Sequence, residues 1–146
     1  MHIMFHMKHY HSNMAQNKKN TKEIGDLGEK VAQKYLIEHG FTILAVNYWR
    51  KWGEIDVIAQ KDGIVRFVEV KTVSYETKGK LEYALTHETW RPEEQVHQFK
   101  LHQIEKALET WISDTSYEGD WQIDVIAVRI VPHETYATVN FIENVT

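Results

Sequence analysis

The dipeptide Asp62-Gly63 stands between two runs that are rich in β-branched and aromatic residues. The first run is EIDVIAQ (residues 54–60) and the second is IVRFVEVK (residues 64–71). Asp-Gly between two such runs is among the strongest short-range signals for a β-hairpin, because both residues tolerate the positive φ of a tight turn. The chain is therefore expected to contain an antiparallel strand pair whose register is set by this turn.

That register makes two pairs of charged residues face each other. With a two-residue turn, Asp56 lies opposite Glu69 and Glu54 lies opposite Lys71. Opposed side chains project from the same face of a sheet, with Cβ atoms about 5 Å apart. Two carboxylates that close repel each other unless a cation lies between them. Mg²⁺ takes oxygen ligands and is often held by one or two carboxylates, so the register predicts a magnesium site in which Mn²⁺ can substitute.

A metal ion beside Lys71 would suit hydrolysis of a phosphodiester. The ion would polarise a phosphate oxygen and acidify a bound water. The lysine could orient that water or stabilise the charge that develops in the transition state. An ordinary amphipathic hairpin whose charges form a surface ladder is the alternative, and a bulge would break the convergence. The residues alone leave both interpretations open.

The sequence IDVIA occurs twice, at residues 55–59 and 123–127. Asp124 in the second copy is followed neither by an Asp-Gly turn nor by a Glu-x-Lys strand. We therefore expect Asp124 to be structural and to pair with a local donor at a sheet edge.

The other elements follow from periodicity and from breaker residues. Apolar residues recur with helical spacing from Lys22 to His39, and Gly40 closes the stretch. The polar residues 74–91 predict a loop, and Pro92 suits the first turn of a second helix. Further strands are predicted at residues 41–49, 121–130 (buried) and 136–142 (edge). The order α-β-β-β-α-β-β predicts a mixed sheet with helices packed on it, either α/β or α+β.

Composition limits the class of protein. The 146 residues carry a net charge of −4, contain no cysteine and include no apolar run long enough to span a membrane. We expect a cytoplasmic protein with one domain at residues 21–146 and a disordered, His-rich head at residues 1–20. The four histidines of the head would suit a metal ion by residue type, yet no neighbouring residues would hold them in place.

The motif residues resemble a known signature. Asp56 followed by Glu69-Val70-Lys71 is similar to the motif of the PD-(D/E)XK nuclease superfamily. More narrowly, GEIDVIA, FVEVKT and the helix GDLGEKVAQKYLIEHGF resemble the YraN family. The resemblance implies an α/β, three-layer, restriction-endonuclease-like fold with a central mixed β-sheet flanked by helices, as in archaeal Holliday-junction resolvases. WQIDVIAV then occupies the place of a late strand.

The resemblance also implies roles for particular residues. Asp56 and Glu69 would hold Mg²⁺, and Lys71 would complete the catalytic set. Glu29 on the first helix matches a glutamate that can join the metal site in resolvase-like relatives. Lys100 matches a lysine on the helix after the motif, with a role in nucleic-acid binding. Alternatively, Lys100 only snorkels at the border of an apolar helix face.

The segment YWRKW (residues 48–52) alternates aromatic side chains with cations just before the first motif strand. Such a pattern suits base stacking and phosphate contact, so Arg50 and Lys51 are candidates for nucleic-acid binding. Alternatively, the outer aromatics pack in the core and the cations are solvated. Lys78 and Lys80 are further candidates after the motif. Because the chain is acidic, binding should depend on such local patches and weaken with salt.

Three functions remain open from the sequence. The first is a magnesium-dependent endonuclease that acts on DNA, including branched or structured DNA. Such an enzyme could form a homodimer. The second is a nucleic-acid-binding module that keeps the nuclease fold without useful turnover. The third is a non-catalytic interaction domain. The presence of all three residues Asp56, Glu69 and Lys71 favours the endonuclease.

Overall fold

A computed structural model describes residues 2–6, 21–87 and 98–145. The expected helix start at Pro92 lies outside these residues. The described part contains six strands and three α-helices. In chain order they are β1 (His2–His6), α1 (Thr21–Glu38), β2 (Thr42–Arg50), β3 (Gly53–Lys61), β4 (Ile64–Ser74), α2 (Lys78–His87), α3 (Gln98–Thr115), β5 (Asp120–Val131) and β6 (Tyr136–Ile142).

The strands form one mixed sheet in the order β1-β6-β5-β4-β3-β2. Only β4 and β5 run parallel among these pairs. Alternate residues of β5 enter two separate apolar clusters, one with α1 and one with α3. Since alternate side chains point to opposite faces, α1 and α3 cover the two faces of the sheet. The α/β class and the flanked mixed sheet are confirmed. No helix in the described residues is both long and apolar enough to cross a membrane.

The hairpin between β3 and β4 has the expected turn and register. Asp62 and Gly63 have φ values of +52° and +76°, as a two-residue type I′ turn requires. The ladder runs from Lys61 opposite Ile64 outward along both strands. This pairing anchors the two strands that carry the motif.

Helix α2 lies within residues 74–91, where a loop was expected. Thr77 Oγ1 accepts a hydrogen bond from the backbone nitrogen of Lys80 at 3.1 Å and so caps the helix start. Leu81 and Ala84 are its buried residues. The prediction of a loop was wrong here because so small an apolar face leaves little periodicity in the sequence.

Strand β1 lies beside β6 and forms one edge of the sheet. His2–His6 pair antiparallel with β6, so β6 is not the edge strand that the sequence predicted. The expected disorder of the head does not extend to these five residues, whereas residues 7–20 lie outside the described part. The head is rich in histidine and methionine, so its sequence does not show the clear alternation of polar and apolar residues that predicts a strand.

Candidate metal centre

The strands β3 and β4 separate at Asp56. Their ladder ends at the residue after Asp56, so it does not extend to Asp56 with Glu69 or to Glu54 with Lys71. Instead, Asp56 Oδ2 accepts a hydrogen bond from the backbone nitrogen of Val70 at 2.8 Å. The carboxylate takes the place that a backbone carbonyl would have in a continued ladder, and this contact fixes its position.

The pairing with β2 is also interrupted at this level. Asn47 has a φ of +48°, and neither Asn47 nor Asp56 takes part in the β2–β3 ladder. Beyond the interruption, Ile55 packs in the cluster under α3, whereas Val57 packs in the cluster under α1. Irregularities of this kind bend a strand and redirect a side chain. Here the bend brings Asp56 to the wall of a cavity between α1 and the strands β3 and β4.

Glu69 is the buried partner of Asp56, with a relative exposure of 6%. The pKa of Glu69 is raised to about 8, first by burial and then by its hydrogen bond to Asp56 and the negative charge of Asp56. Lys100 and Lys71 oppose the increase without cancelling it. The raised pKa favours the protonated form of Glu69 at neutral pH, as expected where a buried acid lies beside a second carboxyl group without a cation.

Lys100 reaches this pair from α3. Its Nζ lies 3.2 Å from Glu54 Oε1 and 3.3 Å from Glu69 Oε2. Burial lowers the pKa of Lys100, but the carboxylates of Glu69, Glu54 and Asp56 raise it by more. Lys100 therefore stays protonated and lies among the acids, not at the border of an apolar face. Lys71 is half-buried and lines the same cavity.

The cavity has a volume of about 240 Å³ and opens between the N-terminal part of α1 and the ends of β3 and β4. Glu29 lies on its α1 side, with Oε1 buried and without a hydrogen-bond partner in the described part of the chain. Burial, followed by the charge of Asp56, raises the pKa of Glu29 to about 7. Within residues 21–87 and 98–145, no three His, Asp or Glu side chains are arranged to hold a metal ion as a set. Glu29 thus borders the Asp56–Glu69 pair without completing a three-ligand site.

Two glycines that the sequence reasoning did not single out set the distance between the layers. A Cβ at Gly28 of α1 would lie 1.8 Å from Thr72 Oγ1 on β4. A Cβ at Gly53 would lie 2.0 Å from the carbonyl oxygen of Gln103 on α3. Both helices therefore approach the motif strands more closely than any larger residue would allow. A glycine inside the helical pattern of α1 was the signal for the first contact.

The expected nucleic-acid contacts near the β2–β3 turn differ in how they are held. The Arg50 guanidinium carbon lies 4.2 Å from the centre of the Tyr48 ring, and Nη2 lies 3.7 Å from Asp114 Oδ2. Tyr48 itself packs under α3. Lys51 is exposed in the turn. Arg50 is thus partly used by the fold, whereas Lys51 extends into solvent.

The two lysines of α2 contact residues other than the carboxyl pair. Lys78 Nζ lies 4.6 Å from the centre of the Tyr136 ring, and its backbone nitrogen donates to Glu134 Oε2 at 2.5 Å. Lys80 forms an exposed ion pair with Glu76 at 2.9 Å. Both cations lie on the helix that follows β4.

Asp124, in the second IDVIA copy, is fully buried and accepts three hydrogen bonds. The donors are Arg66 Nη1 at 3.0 Å, Gln122 Nε2 at 2.8 Å and the backbone nitrogen of Asn144 at 2.7 Å. Its structural role is therefore confirmed. Its expected place at a sheet edge was wrong, because β5 is an interior strand.

The chain is similar to bacterial proteins over most of its length. A UPF0102 protein of Campylobacter fetus subsp. fetus is 36% identical over 124 residues, which cover 84% of this chain and 92% of the relative. One from Trichlorobacter lovleyi is 39% identical over 114 residues, or 77% and 81% of the two chains. The profile described as "Uncharacterised protein family UPF0102" matches residues 28–128, which include the acidic pair and both nearby lysines. The chain therefore belongs to family UPF0102, in agreement with its resemblance to YraN.

Proposed function

We propose that this protein is a magnesium-dependent endonuclease that hydrolyses phosphodiester bonds in DNA, branched or structured DNA included. The observation that carries the proposal is the Asp56–Glu69 carboxyl pair, which lies where β3 and β4 separate and has Lys100 within 3.3 Å of Glu69. A buried acid paired with a half-buried one, beside a cavity and two lysines, is costly for a purely structural surface.

The donor set suits a hard divalent cation. Asp56 and Glu69 offer only oxygen ligands, and a metal ion could replace the proton that Glu69 holds. Mg²⁺ often binds one or two carboxylates and completes its shell with waters and substrate phosphates, for which the cavity has room. The buried, unpartnered oxygen of Glu29 borders the same space and could receive one of those waters.

Each residue then has a distinct part in the proposed reaction. A bound Mg²⁺ or Mn²⁺ would polarise a phosphate oxygen and acidify a water. Lys71 would donate a hydrogen bond to that water or to the oxygen on which charge develops. Lys100 holds the Glu69 carboxyl, and Glu54 in turn holds Lys100. The backbone nitrogen of Val70 keeps Asp56 in position.

We propose Lys51 as the principal phosphate contact, with smaller contributions from Arg50 and Lys78. Lys51 is exposed in the turn just before β3, whereas Arg50 is partly engaged by Asp114. In a chain with a net charge of −4, these local cations would make binding strongly salt-dependent. The lack of cysteine supports activity in the reducing cytoplasm, within a catalytic domain at residues 21–146.

Single-turnover cleavage tests the proposal. Labelled branched, single-stranded and duplex DNA would be incubated with Mg²⁺ and the wild-type protein, Asp56→Asn or Glu69→Gln. Asp62→Asn is the matched control, because it makes the same chemical change at the far turn of the same hairpin. We expect cleavage by the wild type and the control, and a loss of about 10²-fold or more in both site variants. DNA binding without cleavage of any substrate would instead favour a binding module.

A further inference from the structure

Two tryptophans flank the turn between β2 and β3. The side chains of Trp49 and Trp52 are 64% and 49% exposed, and Arg50 and Lys51 lie between them in sequence. We call residues 49–52 the aromatic turn. Two large aromatic side chains exposed within one turn are informative, because exposed apolar patches on protein surfaces often mark binding sites.

The aromatic turn adjoins the carboxyl pair. Trp49 is the cross-strand partner of Glu54, so their side chains leave the same face with Cβ atoms about 5 Å apart. The Glu54 carboxylate contacts Lys100, and Lys100 contacts Glu69. Trp49 is therefore separated from Glu69 by two side chains only, both of them charged.

The turn is also held in a fixed conformation by α3. Trp52 Nε1 donates a hydrogen bond to Thr110 Oγ1 at 2.9 Å, which orients the indole while leaving half of it exposed. Arg50 Nη1 donates to the backbone carbonyl of Trp49 at 2.7 Å, and its guanidinium approaches Asp114. A surface that is ordered before binding loses less conformational entropy when a ligand arrives.

Resting on the nuclease function proposed above, we propose that the aromatic turn binds unpaired nucleotides of the DNA substrate. Trp49 and Trp52 stack on exposed bases, and Lys51 contacts a phosphate. Bases offer their faces only where they are unpaired, and stacking on an aromatic side chain accepts any base. The aromatic turn therefore directs the carboxyl pair to single-stranded segments and to the unpaired flanks of branched DNA, without a requirement for a particular sequence.

A second copy of this chain is the competing occupant, because β2 is an edge strand and also exposes Leu44 and Val46. Charge favours the nucleic acid. The aromatic turn carries two cations and no acid, in a chain whose net charge is −4. A polyanion complements that turn, whereas an identical acidic chain would bring its own cations against it.

Fluorescence anisotropy with a labelled single-stranded oligonucleotide and its duplex tests the inference. The full-length chain is used in EDTA, so that no metal is needed for binding. We expect Trp49→Ala and Trp52→Ala to weaken single-strand binding by roughly ten-fold or more, and Trp49→Tyr to restore it, since tyrosine still stacks. Trp121→Ala is the matched control, because Trp121 is 43% exposed and pairs with Val65 near the Asp62-Gly63 turn, at the far end of the hairpin from the aromatic turn. Thermal unfolding confirms that each variant is folded.

Three results would overturn the inference. The first is unchanged single-strand affinity in both alanine variants, and the second is an equal loss of affinity for duplex and single strand. The third is a wild-type protein that sediments as a dimer and alanine variants that sediment as monomers. The use of EDTA separates this inference from the proposed catalysis, because binding is then measured without metal and without cleavage. If the protein binds single strands through the two tryptophans but cleaves no DNA, the single-strand site is supported and the nuclease function is not. If wild type and Trp49→Ala cleave DNA with the same substrate preference, the nuclease function is supported and the single-strand site is not.

Discussion

The carboxylate of Asp56 accepts a hydrogen bond from the backbone nitrogen of Val70 at 2.8 Å, at the level where the strands that carry the two residues separate. One side chain thus joins two strands and lies beside the buried Glu69. Its contribution to the fold and its proposed contribution to metal binding can be separated by substitution.

Asp56→Ala should destabilise the protein, whereas Asp56→Asn should not. Alanine leaves the Val70 nitrogen without its acceptor, at a cost of about 1–2 kcal/mol, while the amide oxygen of asparagine can still accept the hydrogen bond. Urea unfolding at neutral pH measures both variants. Equal stability of the two would mean that the contact contributes nothing to the fold.

Glu69→Gln should stabilise the protein increasingly as the pH rises. The pKa of Glu69 is near 4.5 in an unfolded chain and about 8 in the folded protein. Between these values the unfolded chain has lost a proton that the folded protein keeps, so folding stability falls as the pH rises and levels off above about pH 8. Glutamine does not titrate and avoids this loss, which amounts to about 1.4 kcal/mol for each pH unit between the two pKa values.

Urea unfolding of wild type and Glu69→Gln between about pH 5 and pH 8 checks that slope. Glu29, whose pKa is also raised, is present in both proteins, so its own contribution largely cancels in the difference. A difference that stays constant with pH would contradict the raised pKa of Glu69.

Lys100→Met should move Mn²⁺ binding to higher pH. The lysine lowers the pKa of Glu69, so its removal makes the proton harder to displace by a metal ion. Lys106→Met is the matched control, because Lys106 is exposed on the same helix. Calorimetric titration at several pH values compares the two variants. The same pH dependence in both would show that Lys100 does not act on the carboxyl pair.

Gly28→Ala and Gly25→Ala should have opposite effects on stability within helix α1. A Cβ at Gly28 collides with Thr72, which should cost about 1–3 kcal/mol, whereas a Cβ at Gly25 meets nothing within 4 Å. At Gly25, alanine should gain up to about 1 kcal/mol from its better helix propensity. Thermal unfolding of the two variants measures this contrast, and a stabilised Gly28→Ala would contradict the close approach of α1 to β4.

The hairpin was predictable because its determinants are local. Asp62 and Gly63 adopt the positive φ values that the dipeptide favours, and the register then follows along the chain. The divergence at Asp56 was not predictable, because it coincides with the positive φ of Asn47 in the neighbouring strand β2, which the pattern of the hairpin itself does not indicate. Pattern reasoning therefore found the two acids but expected a regular pair of strands between them.

The contacts between the helices and the sheet could not be predicted from the sequence either. Lys100 reaches Glu54 and Glu69 only because α3 packs closely over β3, and that approach depends on Gly53. Asp124 shows the opposite case, in which missing motif partners correctly indicated a structural residue while its position in an interior strand was missed.

Calorimetric titration of Mn²⁺ into the purified protein, with Asp56→Asn, Glu69→Gln and the control Asp62→Asn, tests the central claim most directly. A failed cleavage assay can mean the wrong DNA, whereas metal binding needs no substrate. We expect saturable binding by the wild type and by Asp62→Asn, with release of a proton below about pH 8, and no binding by either site variant. Binding that survives in both site variants, or no binding by the wild type at millimolar metal, would contradict a metal centre at Asp56 and Glu69.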